Sequence, residues 1–143
     1  MTEPKAILLV EDNDADVELA REALREVGRE SRLAVARDGE EALRYVFGDG
    51  GGADGRLPSL VLLDLGLPGI GGLEVLKRLR ADERTKLLPV VVLTNSNDEI
   101  DGVESYKLGC NSYLRKPSNF GEFIKSIGEL TTYWLERNRI PKG

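Results

Sequence analysis

The chain is 143 residues long, the size of one domain, and carries 25 acidic against 20 basic side chains for a formal net charge of -5. It has no histidine and one cysteine, Cys110, which excludes an imidazole base, a His-rich metal site, an internal disulfide and a zinc–thiolate cluster. The acidic balance, with no basic block, argues against nucleic acid as a partner.

The start, Met1-Thr2-Glu3-Pro4-Lys5, leads straight into the apolar run Ala6-Ile7-Leu8-Leu9-Val10, which ends in Glu11-Asp12. No secretory leader and no membrane-length apolar run is visible, so a cytoplasmic protein with no membrane partner is expected. A helix is predicted from Ala15 to Val27, stopped by Gly28. A second runs from Glu40 to Phe47 behind the capping pair Asp38 and Glu41. The stretch from Gly48 to Gly55 reads as a flexible loop; it lacks the Gly-Lys-Ser/Thr ending of a P-loop. The run Ser59-Leu60-Val61-Leu62-Leu63 ends in Asp64 and is followed by Leu65-Gly66-Leu67-Pro68. A third helix, Leu73 to Arg80, opens on Gly71-Gly72. The run Pro89-Val90-Val91-Val92-Leu93 ends in Thr94. A fourth helix is expected over about Asp98 to Leu108, with Ser96 and Glu99 as its capping box and Gly109 as its stop; Cys110 packs just after it as a small apolar residue. The short run Ser112-Tyr113-Leu114 ends near Lys116-Pro117. A last helix extends from Phe120 to about Arg137 behind Asn119 and Glu122, with Pro141 beyond it.

Short, continuous Val/Ile/Leu runs are the mark of strands buried on both faces, hence of a parallel sheet. Five alternations of strand and helix predict an α/β, doubly wound five-stranded parallel sheet with right-handed crossovers and strand order 2-1-3-4-5. Residues 1–143 are expected to form one domain. In that order the ligand crevice lies at the carboxyl ends of strands 1 and 3. Those strands deliver Glu11-Asp12 and Asp64, so fold logic and residue chemistry select the same place.

A carboxylate at the end of a buried strand is unfavourable unless something uses or neutralises it. Asp64 can attack a phosphoryl group and form an acyl phosphate. Glu11 and Asp12 would hold a divalent cation, Mg²⁺ by its preference for oxygen ligands, to offset the incoming charge. Thr94 and Lys116 would donate to the phosphoryl oxygens. Singly, each residue has a plainer reading: an acid caps the next helix, a Thr after a strand is a turn residue, a Lys is a solvated charge. The combination is the signal. Rival chemistries fit less well. An aspartate-nucleophile phosphatase of the haloacid-dehalogenase pattern needs a second Asp where this chain has Gly66. A flavodoxin-like flavin site needs Ser and Thr where it has Glu11-Asp12-Asn13-Asp14. An EF-hand loop begun at Asp12 fails at Val17 and Ala23.

Taken together, Glu11-Asp12, Asp64, Thr94 and Lys116-Pro117 resemble the response-regulator receiver domain of two-component signalling, and the resemblance covers nearly the whole chain. It implies the flavodoxin-like receiver fold and a phosphoacceptor signalling protein. Such a protein is not an enzyme, beyond assisting its own phosphorylation and dephosphorylation. Asp64 would accept phosphate from a sensor histidine kinase. Asp12 would bind Mg²⁺ directly, Glu11 mainly through water, and Asp64 and the Gly66 carbonyl would complete the protein ligands. Thr94 and Tyr113 would form the switch, and the Lys116–Pro117 bond would be cis. Receivers often have Asp-Asp first and Met before the loop proline; here Glu11 and Leu67 stand there. Three features resemble, more narrowly, small single-domain response regulators paired with bacterial phytochromes. They are the segment Leu93 to Glu99, the long loop before strand 3 and the tail Tyr133-Trp134-Leu135-Glu136. No output domain is expected, so the signal would leave through a partner or a phosphorelay. A homodimer built largely on the last helix is expected, in which Phe120, Phe123, Ile124, Ile127, Leu130, Thr131 and Trp134 cover the sheet. The end through Tyr133 and Leu135 would overhang it.

Overall fold

A computed structural model of the protein describes residues 6–48, 57–95 and 98–139. Strands and helices alternate throughout: β1 (Ile7–Val10), α1 (Asp14–Glu26), β2 (Leu33–Ala36), α2 (Gly39–Phe47), β3 (Leu60–Asp64), α3 (Gly72–Ala81), β4 (Val90–Thr94), α4 (Glu99–Lys107), β5 (Ser112–Arg115) and α5 (Phe120–Thr132). Every paired strand is parallel and the order is β2-β1-β3-β4-β5, as the alternation requires. The start at Met1 to Lys5, most of the Gly-rich loop, Ser96 and Pro141 lie outside the described residues.

All residues of β1, β3 and β4 are buried, because helices cover both faces of the sheet. Side chains alternate between those faces. Ile7, Leu9, Leu60, Leu62, Val91 and Leu93 pack with α1 and α5, whereas Leu8, Val10, Val61, Leu63, Val90 and Val92 pack with α2 and α3. Each fully buried Leu or Ile contributes about 1.5–3 kcal/mol relative to exposure. The edge strands β2 and β5 are only partly buried. Among the described residues no helix is long and apolar enough to cross a membrane.

Local chemistry sets the helix ends. Asn13, Asp38 and Asn119 cap α1, α2 and α5 by accepting from the backbone N–H of Asp16, Glu41 and Glu122. The left-handed turns that end α1 and α4 fall on Gly28 (φ 74°) and Gly109 (φ 98°). At α4 the N-cap is Asp98, which accepts from the Ile100 N–H at 2.9 Å; Ser96, the other half of the expected Ser96–Glu99 capping box, lies outside the described residues. Asp98 immediately precedes the first helical residue, and its charge favours the helix N-terminus.

The C-terminal end also departs from expectation. After Thr132 the helix widens into a π-turn, Tyr133–Arg137, that is clasped to the α1 end by the buried Arg29, which donates to Thr132 and Glu136. Leu135 does not overhang; it is 2% exposed and belongs to the α1–α5 core, with Trp134 packed partly against it. Widening by one residue per turn rotates Leu135 back onto the core. Phe123, Ile127, Leu130 and Thr131 are buried as expected, but Phe120, in the first turn, is 69% exposed. Tyr133 stays outside, edge-on to Trp134.

Candidate functional site

The carboxyl ends of β1, β3, β4 and β5 open into one cleft of about 770 Å³. It gathers Glu11, Asp12, Asp64, Gly66, Thr94 and Lys116, the residues that the sequence picks out, together with Asp16 of α1. Tyr113 lies outside it, on the far side of α4. The placement follows from strand alternation. Asp64 continues the side of Leu60 and Leu62, and Glu11 that of Ile7 and Leu9, so both face α1. Thr94 continues the side of Val90 and Val92, and Tyr113 packs with the same cluster, toward α3 and α4.

Asp64 keeps 9% of its surface exposed, enough for a small group to reach it. Its Oδ1 accepts from the Gly66 N–H at 3.3 Å. Behind it α3 approaches so closely that a Cβ on Gly72 would lie 2.4 Å from the Asp64 carbonyl oxygen, so only glycine permits this helix start. Nothing lies within 4 Å of where a Cβ on Gly66 would stand, which leaves one flank of the Asp64 carboxylate open.

Lys116 is 6% exposed, and its ammonium meets three carboxylates: Glu11 Oε1 at 2.5 Å, Asp16 Oδ2 at 2.8 Å and Asp64 Oδ2 at 3.7 Å. Its backbone N–H donates to the Thr94 carbonyl at 2.7 Å, which ties the lysine to the end of β4. Glu11 is 2% exposed and its Oε2 accepts from the Asn13 N–H. Burial pushes the Glu11 carboxyl up to about 7, against the pull of the Lys116 ammonium. Burial draws Lys116 down, but its hydrogen bonds to Asp16 and Glu11 more than offset this and its net shift is upward. Asp16, on the exposed side of the pair, adds a second carboxylate that favours the charged lysine.

Carboxylate oxygens of Glu11, Asp12 and Asp64 lie within 4.8 Å of one another. This all-oxygen donor set, half open to solvent through the exposed Asp12, fits a hard divalent cation that keeps part of its water shell. With one Glu11 oxygen on Lys116 and the other on the Asn13 amide, Asp12 is the freer ligand of the first pair.

Two expectations change here. The Lys116–Pro117 bond is trans, since no cis peptide occurs among the described residues; the two forms of an X–Pro bond differ by only about 0.5–1 kcal/mol, so context decides. Asp16 was not among the expected site residues. It sits in the first turn of α1, the helix that Asn13 caps, and it meets Lys116 through tertiary packing.

Tyr113 lies with its ring against α4, where a Cβ on Gly102 would stand 3.5 Å from it. Its hydroxyl is buried and has no hydrogen-bond partner among the described residues. Burial pushes that phenol up, and Asp101 and Asp98 add to the shift.

Comparison with known proteins agrees with this geometry. The family model described as response regulator receiver domain matches residues 7–128. A probable methanogenesis regulatory protein of Methanothrix harundinacea, FilR2, is 43% identical over 97% of this chain and 89% of its own length. Response regulator Rcp1 of Synechocystis is 39% identical over 96% of this chain and 94% of its own; the structure of its Mn²⁺-bound form superposes with a TM-score of 0.84 over 97% of this chain and 100% of that one. The phosphorylated cyanobacterial phytochrome response regulator RcpA, 38% identical, superposes with a TM-score of 0.90 over 98% of this chain and 100% of that one. With this sheet order, this cluster of acids and lysine, and these relatives, the chain belongs to the response regulator receiver domain family.

Proposed function

We propose that Asp64 accepts a phosphoryl group from the phosphohistidine of a sensor histidine kinase and that the chain passes the signal on by changing shape. The observation that carries this reading is the buried Lys116 ammonium 3.7 Å from Asp64, beside three carboxylates whose oxygens gather within 4.8 Å. An Asp64 carboxylate oxygen attacks phosphorus, the P–N bond breaks, and the imidazole leaves with the bonding pair, giving an acyl phosphate. Glu11, Asp12, Asp64 and the Gly66 carbonyl are the residues to hold Mg²⁺, which when bound supplies positive charge to the phosphoryl oxygens. The Mn²⁺ held by Rcp1 supports a divalent ion of this kind. Lys116 and the Thr94 hydroxyl donate to the phosphoryl oxygens, and movement of Thr94 lets the Tyr113 ring shift against α4.

Likeness to RcpA and Rcp1 favours a kinase of the bacterial phytochrome type as the phosphate source, and with it a cytoplasmic location beside an ATP-fed kinase. Residues 1–143 act as one receiver unit, whose output is contact with a partner or with a second copy through the last helix. For the second copy, Phe120 and Tyr133 are the exposed aromatics of that helix, 69% and 49% exposed. Tyr133→Glu should lower the mass measured by light scattering at tens of micromolar. A wild type that is monomeric with and without phosphate ends the dimer reading.

Phosphoramidate with Mg²⁺, followed by intact mass, tests the acceptor. The wild type should gain one phosphoryl group and Asp64→Asn none, and chelation of Mg²⁺ should match the mutation. A full adduct on Asp64→Asn would place the acceptor elsewhere.

A further inference from the structure

Lys116 has three N–H donors, and the resting protein commits two of them to carboxylates other than the acceptor. Glu11 takes one at 2.5 Å and Asp16 another at 2.8 Å, while Asp64 stands outside hydrogen-bond distance at 3.7 Å. The two holders differ. Glu11 is tied down on every side: its N–H donates to the Ala36 carbonyl, its Oε2 accepts from the Asn13 N–H, and it is buried. Asp16 sits in the first turn of α1, its N–H capped by Asn13 and its side chain 21% exposed. Among the described residues its carboxylate has one partner, Lys116.

We infer that Asp16 is a positioning residue that holds Lys116 in its resting place, and that phosphorylation draws Lys116 off Asp16. This rests on Asp64 being the acceptor. A phosphoryl group on Asp64 brings further acceptor oxygens and up to about two negative charges. Lys116 serves those oxygens by giving up the Asp16 bond, the less constrained of its two. The Asp16 carboxylate also repels the incoming anion. Both effects favour the resting state, so Asp16 sets how strongly a phosphoryl group must compete for the lysine. A merely structural role makes the opposite prediction, since loosening α1 would weaken binding at the site.

Beryllofluoride, a phosphoryl mimic, is titrated into wild type, Asp16→Asn and Asp16→Glu at saturating Mg²⁺, and the bound fluoride is followed by ¹⁹F NMR. Saturation matters because removing a nearby negative charge also weakens cation binding. Asp16→Asn should bind the mimic severalfold more tightly, and Asp16→Glu, which keeps the carboxylate, should stay close to wild type. A second measurement needs no variant: the ¹⁵Nζ resonance of Lys116 should couple to the Asp16 carboxylate carbon in the resting protein and lose that coupling when beryllofluoride binds. Equal or weaker binding by Asp16→Asn overturns the inference, and so does a Lys116–Asp16 coupling that survives the mimic. Should Asp16→Asn fail to fold, the coupling decides. Failure of the acceptor reading is separate: it shows as a wild type that takes up neither mimic nor phosphate, or as an adduct that persists in Asp64→Asn.

Discussion

Helices α3 and α4 follow neighbouring strands and stand beside the same cleft, yet they are held very differently. Helix α3 buries Gly72, Val75, Leu76 and Leu79, with Gly72 pressed onto the Asp64 backbone. Helix α4 buries only Ser105 and leaves Ile100, Val103 and Tyr106 at 65%, 52% and 58% exposure. The element behind Asp64 is a wall, and the element behind Thr94 and Tyr113 is a loosely seated plate. Regions with few buried apolar contacts open at low free energy and supply the moving parts of a protein. A receiver needs both properties at once: an acceptor that stays put while the surface beside it responds.

The strongest way to break this contrast is to hollow the wall. Leu76→Ala should destabilise by about 2–5 kcal/mol, the range for a fully buried leucine, read as a shift in the urea midpoint. Gly72→Ala comes next, at about 1–3 kcal/mol for an overpacked contact. Because the added methyl displaces the Asp64 backbone, this variant should also phosphorylate more slowly from phosphoramidate, and an unchanged rate would separate the α3 contact from the site. Smaller, and opposite in sign, is Gly102→Ala. The new Cβ meets the Tyr113 ring at an ordinary 3.5 Å, and alanine is favoured over glycine in a helix by about 0.5–1 kcal/mol. Stability should rise, amide exchange along α4 should slow, and the structural response to beryllofluoride should shrink. Smallest is Val103→Ser, expected within about 0.5 kcal/mol of wild type because the side chain is half in solvent. A loss as large as that of Leu76→Ala would show that α4 is packed after all.

Much of this was legible in the sequence, for stated physical reasons. β1, β3 and β4 announce themselves because strands buried on both faces must be continuously apolar, and the polar residues that end them are the site. Strand β2 does not stand out: Leu33-Ala34-Val35-Ala36 is short, contains two alanines and is mostly half-buried, so it carries little pattern. Caps at Asp38 and Asn119 were readable from local spacing, whereas at α4 several good capping residues crowd together and only the backbone chooses Asp98. The π-turn has no local signature, since it arises from the tertiary clasp of Arg29 on Glu136. Asp16 was hidden by its neighbours, because in a run of acids the one that meets Lys116, a hundred residues away, is decided by packing.

The β3–β4 ladder sets Asp64 level with Leu93, so Thr94 stands one rung farther along, about 3.3 Å beyond the carboxylate's own level. In the proposed mechanism this offset acts as a depth gauge. A bare carboxylate ends short of the hydroxyl's height, while a phosphoryl group carried on it extends up to that height, so Thr94 addresses the cargo and not the carrier. The gauge is set by backbone pairing and needs no further residue to calibrate it. A one-rung slip of β4 would do more than spoil the measurement, because it would turn Thr94 to the opposite face of the sheet.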